Sequence, residues 1–434
     1  MRIAYYTRDK LLKLGASDVL VKYGQVEASH VKFSNNQIVK TGSEVLESLS
    51  VFASFKGRLV FTNLKNLNEK SADELVKQIG KFVKHVPVNK EYKGIAREKF
   101  SYKKLEDCYD KKIIDLDEVD LVRKGINKAL EKAERTNGVF DRTVGKALLV
   151  GSNGVEREEE FTGVYFSLRS FYKDGSGHSN SCSRMLNKLE VEKSGEESGT
   201  LARESVNPVN GVAGKYDIVF GTMPTCVLVN HFMEHASIGN VEAGLSFLSG
   251  KLGKDVGKVT IADYGNMPNG YGSSEFDEEG VPTRKTNVIE DGKLKTYLHN
   301  TSSALRHKTK TTGNAGLINP NAWNIVLEKG KCEQGNVEDI KRGLYISNIW
   351  YTRYQNYATG DFSTIPRDAA FIIENGQFKQ AVKNIRISDN MLNILKNIDR
   401  VGKEVKQLRN WESDISAVVP EILVRNVNVS RAEG

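Results

Sequence analysis

The sequence predicts an α+β fold with two units: an N-terminal α/β domain of strands and two amphipathic helices at residues 1–200, and a C-terminal, mainly antiparallel β domain at residues 201–434 with one short helix. The 434 residues exceed the roughly 100–200 of a single domain. In the first half, strand-like segments are followed by apolar residues at helical spacing. Beyond the segment at 206–211, glycine turns separate short β-rich segments, which places the domain boundary near residue 200.

The first elements of the N-terminal domain are bounded by turn residues. A helical segment ends at Gly15, and the strands that follow are joined at Asn35-Asn36 and at Lys56-Gly57, pairs that favour turns. The elements predicted on this basis are a helix at 8–15 and strands at 18–24, 30–33, 46–55 and 59–62.

Two amphipathic helices are predicted next. Ser71-Ala72-Asp73-Glu74 has the form of a capping box, in which a serine hydroxyl and a glutamate carboxylate satisfy free backbone N–H groups at a helix start. Apolar residues then recur at helical spacing from Leu75 to Val83. A second, longer helix is predicted at 114–136 by the same spacing.

Strands return before the domain boundary and dominate beyond it. Segments 147–150 and 164–168 are strand-like, and Asn153-Gly154 marks a turn between them. In the C-terminal domain, Asp-Gly within 290–293 and Asn-Gly within 374–377 lie between apolar runs, and they predict turns that separate short β-rich segments.

The composition narrows the class of protein. The net charge is +8, but the lysines alternate with acidic residues and there is no arginine-rich arm or Cys/His finger, which favours a solvated surface over a nucleic-acid site. No apolar run approaches the ~20 residues of a membrane helix, and the N-terminus lacks the apolar stretch of a signal peptide, so we expect a cytoplasmic protein. The four cysteines are far apart and form no CxxC pair, which predicts buried or idle thiols.

One short motif could form a metal-binding catalytic site. His231 and His235 are four residues apart, which on a helix puts both rings on one face, and Glu234 lies on the same side. This order, His-x-x-Glu-His, is the inverted zinc-peptidase motif, in which zinc lowers the pKa of a bound water to about 7. A zinc site needs a third ligand, and the spacing does not choose among four candidates: His178, Glu242, Glu275 and Cys332. The alternative is that both histidines are partly buried polar residues on an otherwise apolar helix.

A second cluster of polar residues lies at 275–279. Four of its five residues are acidic, and they are followed by Gly-Val-Pro. Such a run could bind a cation, but it is more typical of a solvated turn.

Several further segments occur in a characteristic order along nearly the whole chain. They are Gly15-Ala16-Ser17-Asp18, Asn207-Pro208, Gly214-Lys215-Tyr216-Asp217, 244–253, 277–283, 291–300, Thr312-Gly313-Asn314-Ala315, Thr359-Gly360-Asp361-Phe362-Ser363 and 373–376. This order resembles the TldD/PmbA family, a cytosolic peptidase family also named modulators of DNA gyrase.

The chain departs from the zinc-bearing TldD type of this family at two places. That type carries His-Glu-x-x-x-His on the helix before a Ser-x-x-x-Gly-Lys segment, and it uses a cysteine close to the C-terminus as a ligand. Counted back from Gly250-Lys251, the two histidine positions fall on about Val229 and Glu234, and the last cysteine is Cys332, so the late segment at 411–420 has none. The resemblance is therefore to the PmbA or TldE type, which lacks the zinc site and pairs with a TldD-type subunit.

Three hypotheses follow. The first, implied by the resemblance, is a non-catalytic subunit in a heterodimer with a TldD-type catalytic subunit, acting on unfolded peptides or peptide precursors and needing no cofactor of its own; the peptide would be held as an added β-strand. The second is an active zinc metallopeptidase with His231 and His235 as ligands and Glu234 as general base. The third is a DNA-associated, gyrase-modulating factor, which would bind DNA with a steep dependence on salt.

Overall fold

The computed structural model describes residues 1–333 and 335–431. The helices in this part of the chain are α1 (Arg2–Lys13), α2 (Glu69–Phe82), α3 (Glu118–Leu130), α4 (Val191–Glu204), α5 (Thr222–His235), α6 (Ile238–Glu242), α7 (Thr301–Arg306) and α8 (Met391–Lys396). The strands are β1 (Asp18–Ser34), β2 (Gln37–Phe55), β3 (Arg58–Leu64), β4 (Arg135–Gly151), β5 (Glu156–Tyr172), β6 (Gly175–Ser183), β7 (Val209–Asn210), β8 (Gly214–Phe220), β9 (Ile261–Tyr264), β10 (Lys285–Glu290), β11 (Lys293–Leu294), β12 (Asn324–Leu327), β13 (Arg342–Asn356), β14 (Asp361–Glu374), β15 (Gln377–Lys383), β16 (Ile385–Asn390), β17 (Ile398–Val401), β18 (Lys406–Asn410), β19 (Ser413–Val419) and β20 (Ile422–Arg431).

The first half is built on one antiparallel sheet with the strand order β3-β2-β1-β4-β5-β6. Its hairpin turns are those that the sequence predicts at Asn35-Asn36, Lys56-Gly57 and Asn153-Gly154. At the first of them both asparagines have positive φ, 49° and 67°, which matches the twist of the flanking strands. The α+β class predicted from the sequence is confirmed.

Four helices cover this sheet; the sequence predicted three of them, a short helix at 8–15 and two amphipathic helices, and it missed α4. α1 and α2 pack on one apolar cluster of the sheet, and α3 and α4 pack on another. The contact between α3 and α4 depends on glycine, because a Cβ on Gly195 would lie 2.4 Å from the carbonyl oxygen of Gly125. α4 spans the position of the predicted domain boundary, and that boundary stays a prediction.

Several predicted helix ends are wrong by a few residues. α1 begins at Arg2 rather than at residue 8. The cap of α2 is Asn68, whose side chain accepts a hydrogen bond from the backbone N–H of Ser71, so Ser71 lies inside the helix. α3 ends at Leu130, because the chain turns there into the long strand β4.

The second half contains two sheets. The first has the order β11-β10-β9-β12-β19-β18, and the second has the order β13-β8-β20-β16-β14-β15-β7. β13 also pairs with β14, which closes the path β13-β8-β20-β16-β14 into a ring. Most of these pairs are antiparallel, as predicted, and the turns at 290–293 and 374–377 join hairpin strands.

Helix α5 carries the predicted motif and lies inside the C-terminal core. It packs against β13, β18 and β19. Eleven of its fourteen residues are buried, because an apolar helix is stable only when covered on most sides. The core therefore holds its last turn, with His231 and His235, in a fixed position.

Cys108, Cys182 and Cys226 are buried thiols, as predicted, and Cys332 is a half-buried thiol. Across the described residues, no helix is both long and apolar enough to cross a membrane.

Candidate functional site

The last two turns of α5 meet a segment far away in the sequence, the start of β19. The Asn230 side chain binds the backbone of Ile415 twice: its Nδ2 donates to the carbonyl oxygen at 3.0 Å, and its Oδ1 accepts from the N–H at 3.2 Å. One turn earlier, the Cys226 Sγ lies 3.6 Å from the Ser413 Oγ. The structure thus joins the motif helix to the late segment at 411–420.

A cleft of about 490 Å³ opens where these two segments meet. The loop at 319–322 forms its far wall. Polar residues from these three segments and from α6 line it, among them His231, Glu234, Asn240, Asn319, Ser413 and Asp414. This cleft is the candidate functional site.

His235 is enclosed rather than presented to the cleft. Its side chain is about 1% exposed, and its ring lies 4.3 Å from the ring of Phe247 and 4.8 Å from that of Tyr354. The backbone N–H of Phe247 donates to the His235 Nδ1 at 3.3 Å. Burial, followed by the nearby His231, lowers the pKa of His235 to about 4.

His231 lies at the edge of the same aromatic group, with 15% of its side chain exposed. Its ring meets that of Tyr354 edge to face at 5.4 Å. Burial, followed by Arg353, lowers the pKa of His231 to about 4, so the ring is neutral at physiological pH. Within the described chain, the buried Nδ1 of His231 has no hydrogen-bond partner.

Glu234 and Asp414 give the cleft its negative charge. Glu234 is 57% exposed, and its Oε2 lies 3.8 Å from the Nδ1 of His231. Burial raises the pKa of Glu234, and the charge of Asp414 raises it further. Two carboxylates in one cleft suit a site for a polar or cationic ligand.

The residues present do not fit a zinc centre as they stand. A histidine ligand must offer a ring nitrogen with a free lone pair at about 2.0–2.1 Å from the metal. The Nδ1 of His235 already accepts a backbone hydrogen bond inside the aromatic group, and in the neutral ring this places the proton on Nε2, so neither nitrogen has a free lone pair. In residues 1–333 and 335–431, no group of three or more His, Cys, Asp or Glu side chains is arranged to hold a metal ion.

The four candidate third ligands have other contacts. Glu242 is bound to Arg306 and His307, and Glu275 to Arg157. His178 is hydrogen-bonded to Ser167 and Asn348. Cys332 is placed beside β17 by its backbone N–H, which donates to the carbonyl of Val401; this bond does not involve the thiol.

The acidic cluster at 275–279 is not the solvated turn that was expected. Asp277 is about 1% exposed, and its carboxylate accepts hydrogen bonds from the backbone N–H groups of Glu279, Val281 and Ala315. Burial raises the pKa of Asp277 to about 7. These contacts show a carboxylate that orders a buried turn.

Sequence reasoning missed the residues that shape the site. Glu412 is the strongest example: its carboxylate accepts from the backbone N–H groups of Tyr351 at 2.7 Å and Thr352 at 3.0 Å. Tyr351 has a φ of 57°, a conformation that is costly for a non-glycine residue and that these bonds hold in place. Asn230 could have been identified from the sequence, because it is a polar residue in an otherwise apolar helix.

The burial of His235 predicts a pH dependence of stability. Its pKa is lower in the folded protein than the usual value near 6.5, so the unfolded chain binds more protons between pH 6.5 and about 4. Above pH 6.5 the neutral ring of His235 makes its full contribution to the free energy of unfolding. This contribution, about 2–3 kcal/mol, is lost as the pH falls toward 4. Urea unfolding of His235→Phe should therefore show a smaller loss of stability over this range than the parent protein.

The control for this prediction is His85→Phe, because His85 is exposed. It should keep the parent pH dependence. A His235→Phe profile parallel to the parent profile would contradict the prediction.

Comparisons with known proteins agree with the fold and with the family that the sequence resembles. The family model for the PmbA/TldA metallopeptidase C-terminal domain matches residues 213–431. An uncharacterized protein of Methanocaldococcus jannaschii is 30% identical over 358 residues, which cover 78% of this chain and 82% of the relative. A metalloprotease of the same organism is 27% identical over 426 residues, 91% of this chain and 92% of the relative.

A solved structure shares the whole fold. The crystal structure of TldE from Thermococcus kodakarensis matches with a TM-score of 0.86 and covers 99% of this chain and 100% of that chain, at 20% sequence identity. At this identity the match shows a common fold.

Proposed function

The chain belongs to the PmbA/TldD metallopeptidase family, and we propose that within it the chain is a non-catalytic, TldE-like subunit. It pairs with a TldD-type catalytic subunit and contributes a wall of the peptide cleft. The substrates of the pair are unfolded peptides or peptide precursors.

The enclosure of His235 is the observation that carries this proposal. A catalytic metal helix must present two ring nitrogens to a metal, but His235 is packed between Phe247 and Tyr354 and accepts a backbone hydrogen bond. Withdrawing the ring would cost that bond and the aromatic contacts. The helix is therefore built into the core as a structural element, and the hydrolytic step falls to the partner.

The cleft supports a role in holding peptide. It retains about 490 Å³ of space, and its walls carry Glu234 and Asp414 together with the amides of Asn240 and Asn319. Side-chain amides both donate and accept hydrogen bonds, so they can bind the peptide backbone whatever the sequence. The two carboxylates favour a basic side chain or a free amino group.

The alternative is an active metallopeptidase with a displaced site. Its support is the buried Nδ1 of His231, which has no hydrogen-bond partner in the described chain and lies 3.8 Å from Glu234. In that case His231 and His235 are the ligands and Glu234 is the base, and His235 has to leave its aromatic contacts when the metal binds.

Reconstitution tests the proposal. The chain and the TldD-type subunit from the same genome are purified separately, and cleavage of an unfolded peptide is measured for each and for the mixture. We expect background cleavage by this chain, and a rate for the mixture above that of the TldD-type subunit alone. In the mixture, His231→Ala in this chain should leave kcat largely unchanged, whereas replacing the Glu of the partner's His-Glu-x-x-x-His should abolish cleavage.

Reversing a charge in the cleft distinguishes a role of this chain in binding the peptide from a role in complex formation alone. Glu234→Lys should raise the KM of the mixture for a basic peptide without preventing complex formation, since Glu234 is 57% exposed and its loss leaves the core intact. Glu204→Lys, at the exposed end of α4, is the matched control. Cleavage by this chain alone that is lost in His231→Ala would contradict the proposal and support the alternative.

A further inference from the structure

Half of β2 has a free outer edge. β1 pairs with β2 over residues 37–54, but β3 pairs only with residues 49–55 on the other side. In the described part of the chain, no strand pairs with the outer edge of residues 37–48. Nearly every side chain of this segment is exposed, including Val39 at 57%, Val45 at 62% and Leu46 at 51%. A long exposed strand edge with apolar residues and no proline is a pairing surface.

The turn geometry shows which backbone groups face this edge. Phe55 and Arg58 flank a two-residue turn, so they form a hydrogen-bonded pair, and the backbone groups of Phe55 point toward β3. The register of β2 with β1 is unbroken from Ser54 to Lys40. Alternation along the strand therefore directs the N–H and C=O groups of the odd-numbered residues at 41, 43, 45 and 47 toward the free edge.

We propose that this edge pairs with the same edge of a second copy of this chain, antiparallel and centred on Gly42. In this register Lys40 of each copy lies opposite Glu44 of the other, and Thr41 opposite Ser43. The segment is thus complementary to itself in charge, as a two-fold symmetric interface requires. A bulge at Val39, where the β1 register shifts, limits the regular pairing to residues 40–44.

Neighbouring registers lack this complementarity. A centre at Ser43 places Glu44 opposite Gly42 and Lys40 opposite Leu46. A centre at Glu44 places two carboxylates against each other, which is unfavourable. Of these three registers, only the centre at Gly42 places Lys40 opposite Glu44.

The centre at Gly42 leaves room for the second strand. A Cβ built on Gly42 meets no atom within 4 Å, so the face of the strand on which a side chain at this position would lie is not blocked by the chain itself. The backbone groups of Gly42 point toward β1, so the two glycines form a pair without mutual hydrogen bonds, with Cα atoms about 4.5 Å apart. That separation falls within the range of a disulfide, about 4.4–6.8 Å.

Exchanging the charges of Lys40 and Glu44 tests the proposed interface. The experiment uses the full chain without any partner subunit. Sedimentation equilibrium over a range of concentrations should show a reversible dimer. Lys40→Glu and Glu44→Lys should each weaken it at least about tenfold, since each puts like charges opposite at two symmetric places. The double variant Lys40→Glu with Glu44→Lys should restore the parent dissociation constant, and Lys13→Glu, on the exposed end of α1, should leave it unchanged.

Cross-linking tests the register. Under mild oxidation, Gly42→Cys should give a covalent dimer, whereas Ser48→Cys and the parent protein should not. A monomer at all concentrations, a dimer unaffected by Lys40→Glu, or single variants that the double exchange does not rescue would each overturn the proposal. These measurements involve no peptide and no partner subunit, so their outcome is independent of the proposed function.

Discussion

Replacing Phe247 by alanine is expected to lower the free energy of unfolding by about 3–5 kcal/mol. Phe247 is about 1% exposed and packs on the rings of His235 and Phe232. Its removal leaves a cavity that the rigid ends of α5 and β13 cannot fill. Chemical denaturation of the variant measures the loss directly.

The same substitution should alter the candidate site. Water that enters the cavity would hydrate the ring of His235 and bring its pKa back toward 6.5. The stability of Phe247→Ala should therefore fall less steeply between pH 6.5 and 4 than that of the parent. Phe247→Leu, which fills most of the space, is the matched control and should cost about 1–2 kcal/mol. An alanine variant within about 1 kcal/mol of the parent would show that this packing is not what fixes His235.

Replacing Asp263 by alanine is the second large effect we expect, with a loss of about 3 kcal/mol or more. Asp263 is about 1% exposed, and its carboxylate accepts from the backbone N–H groups of Trp323 and Asn324 and from the Nδ2 of Asn314. That Nδ2 also donates to the carbonyl of Asn321 in the cleft wall. Alanine would leave three buried donors without an acceptor and would loosen the wall.

Asp263→Asn is the control, because its amide oxygen can still accept from both backbone N–H groups. It should cost about 1 kcal/mol. Thermal or urea unfolding compares the two variants. Equal losses for alanine and asparagine would show that the negative charge, rather than the hydrogen bonds, stabilises this loop.

Local features of the fold could be predicted from the sequence, whereas distant pairings could not. The turns at Asn35-Asn36 and Lys56-Gly57 were correct, because positive φ angles select these residue types. The start of α2 was placed at Ser71 because several polar residues can cap a helix, and only the structure shows that Asn68 does so. The pairing of β13 with β14 that closes the ring is hydrogen bonding between backbones and leaves little trace in side-chain type.

The candidate site was predictable to a similar extent. The helical spacing of His231 and His235 is correct, and both lie on α5. The spacing did not reveal that Phe247 and Tyr354 enclose one ring, because these residues come from segments whose approach depends on the whole C-terminal fold. The roles of these residues toward a metal stay a prediction.

Zinc content of the purified chain tests the central claim most directly. The chain is loaded with excess zinc, passed through a desalting column and measured by elemental analysis, beside His231→Ala prepared in the same way. We predict far less than one zinc per chain, equal in both proteins, with no peptide cleavage by either. One zinc per chain in the parent, lost together with peptide cleavage in His231→Ala, would contradict the account.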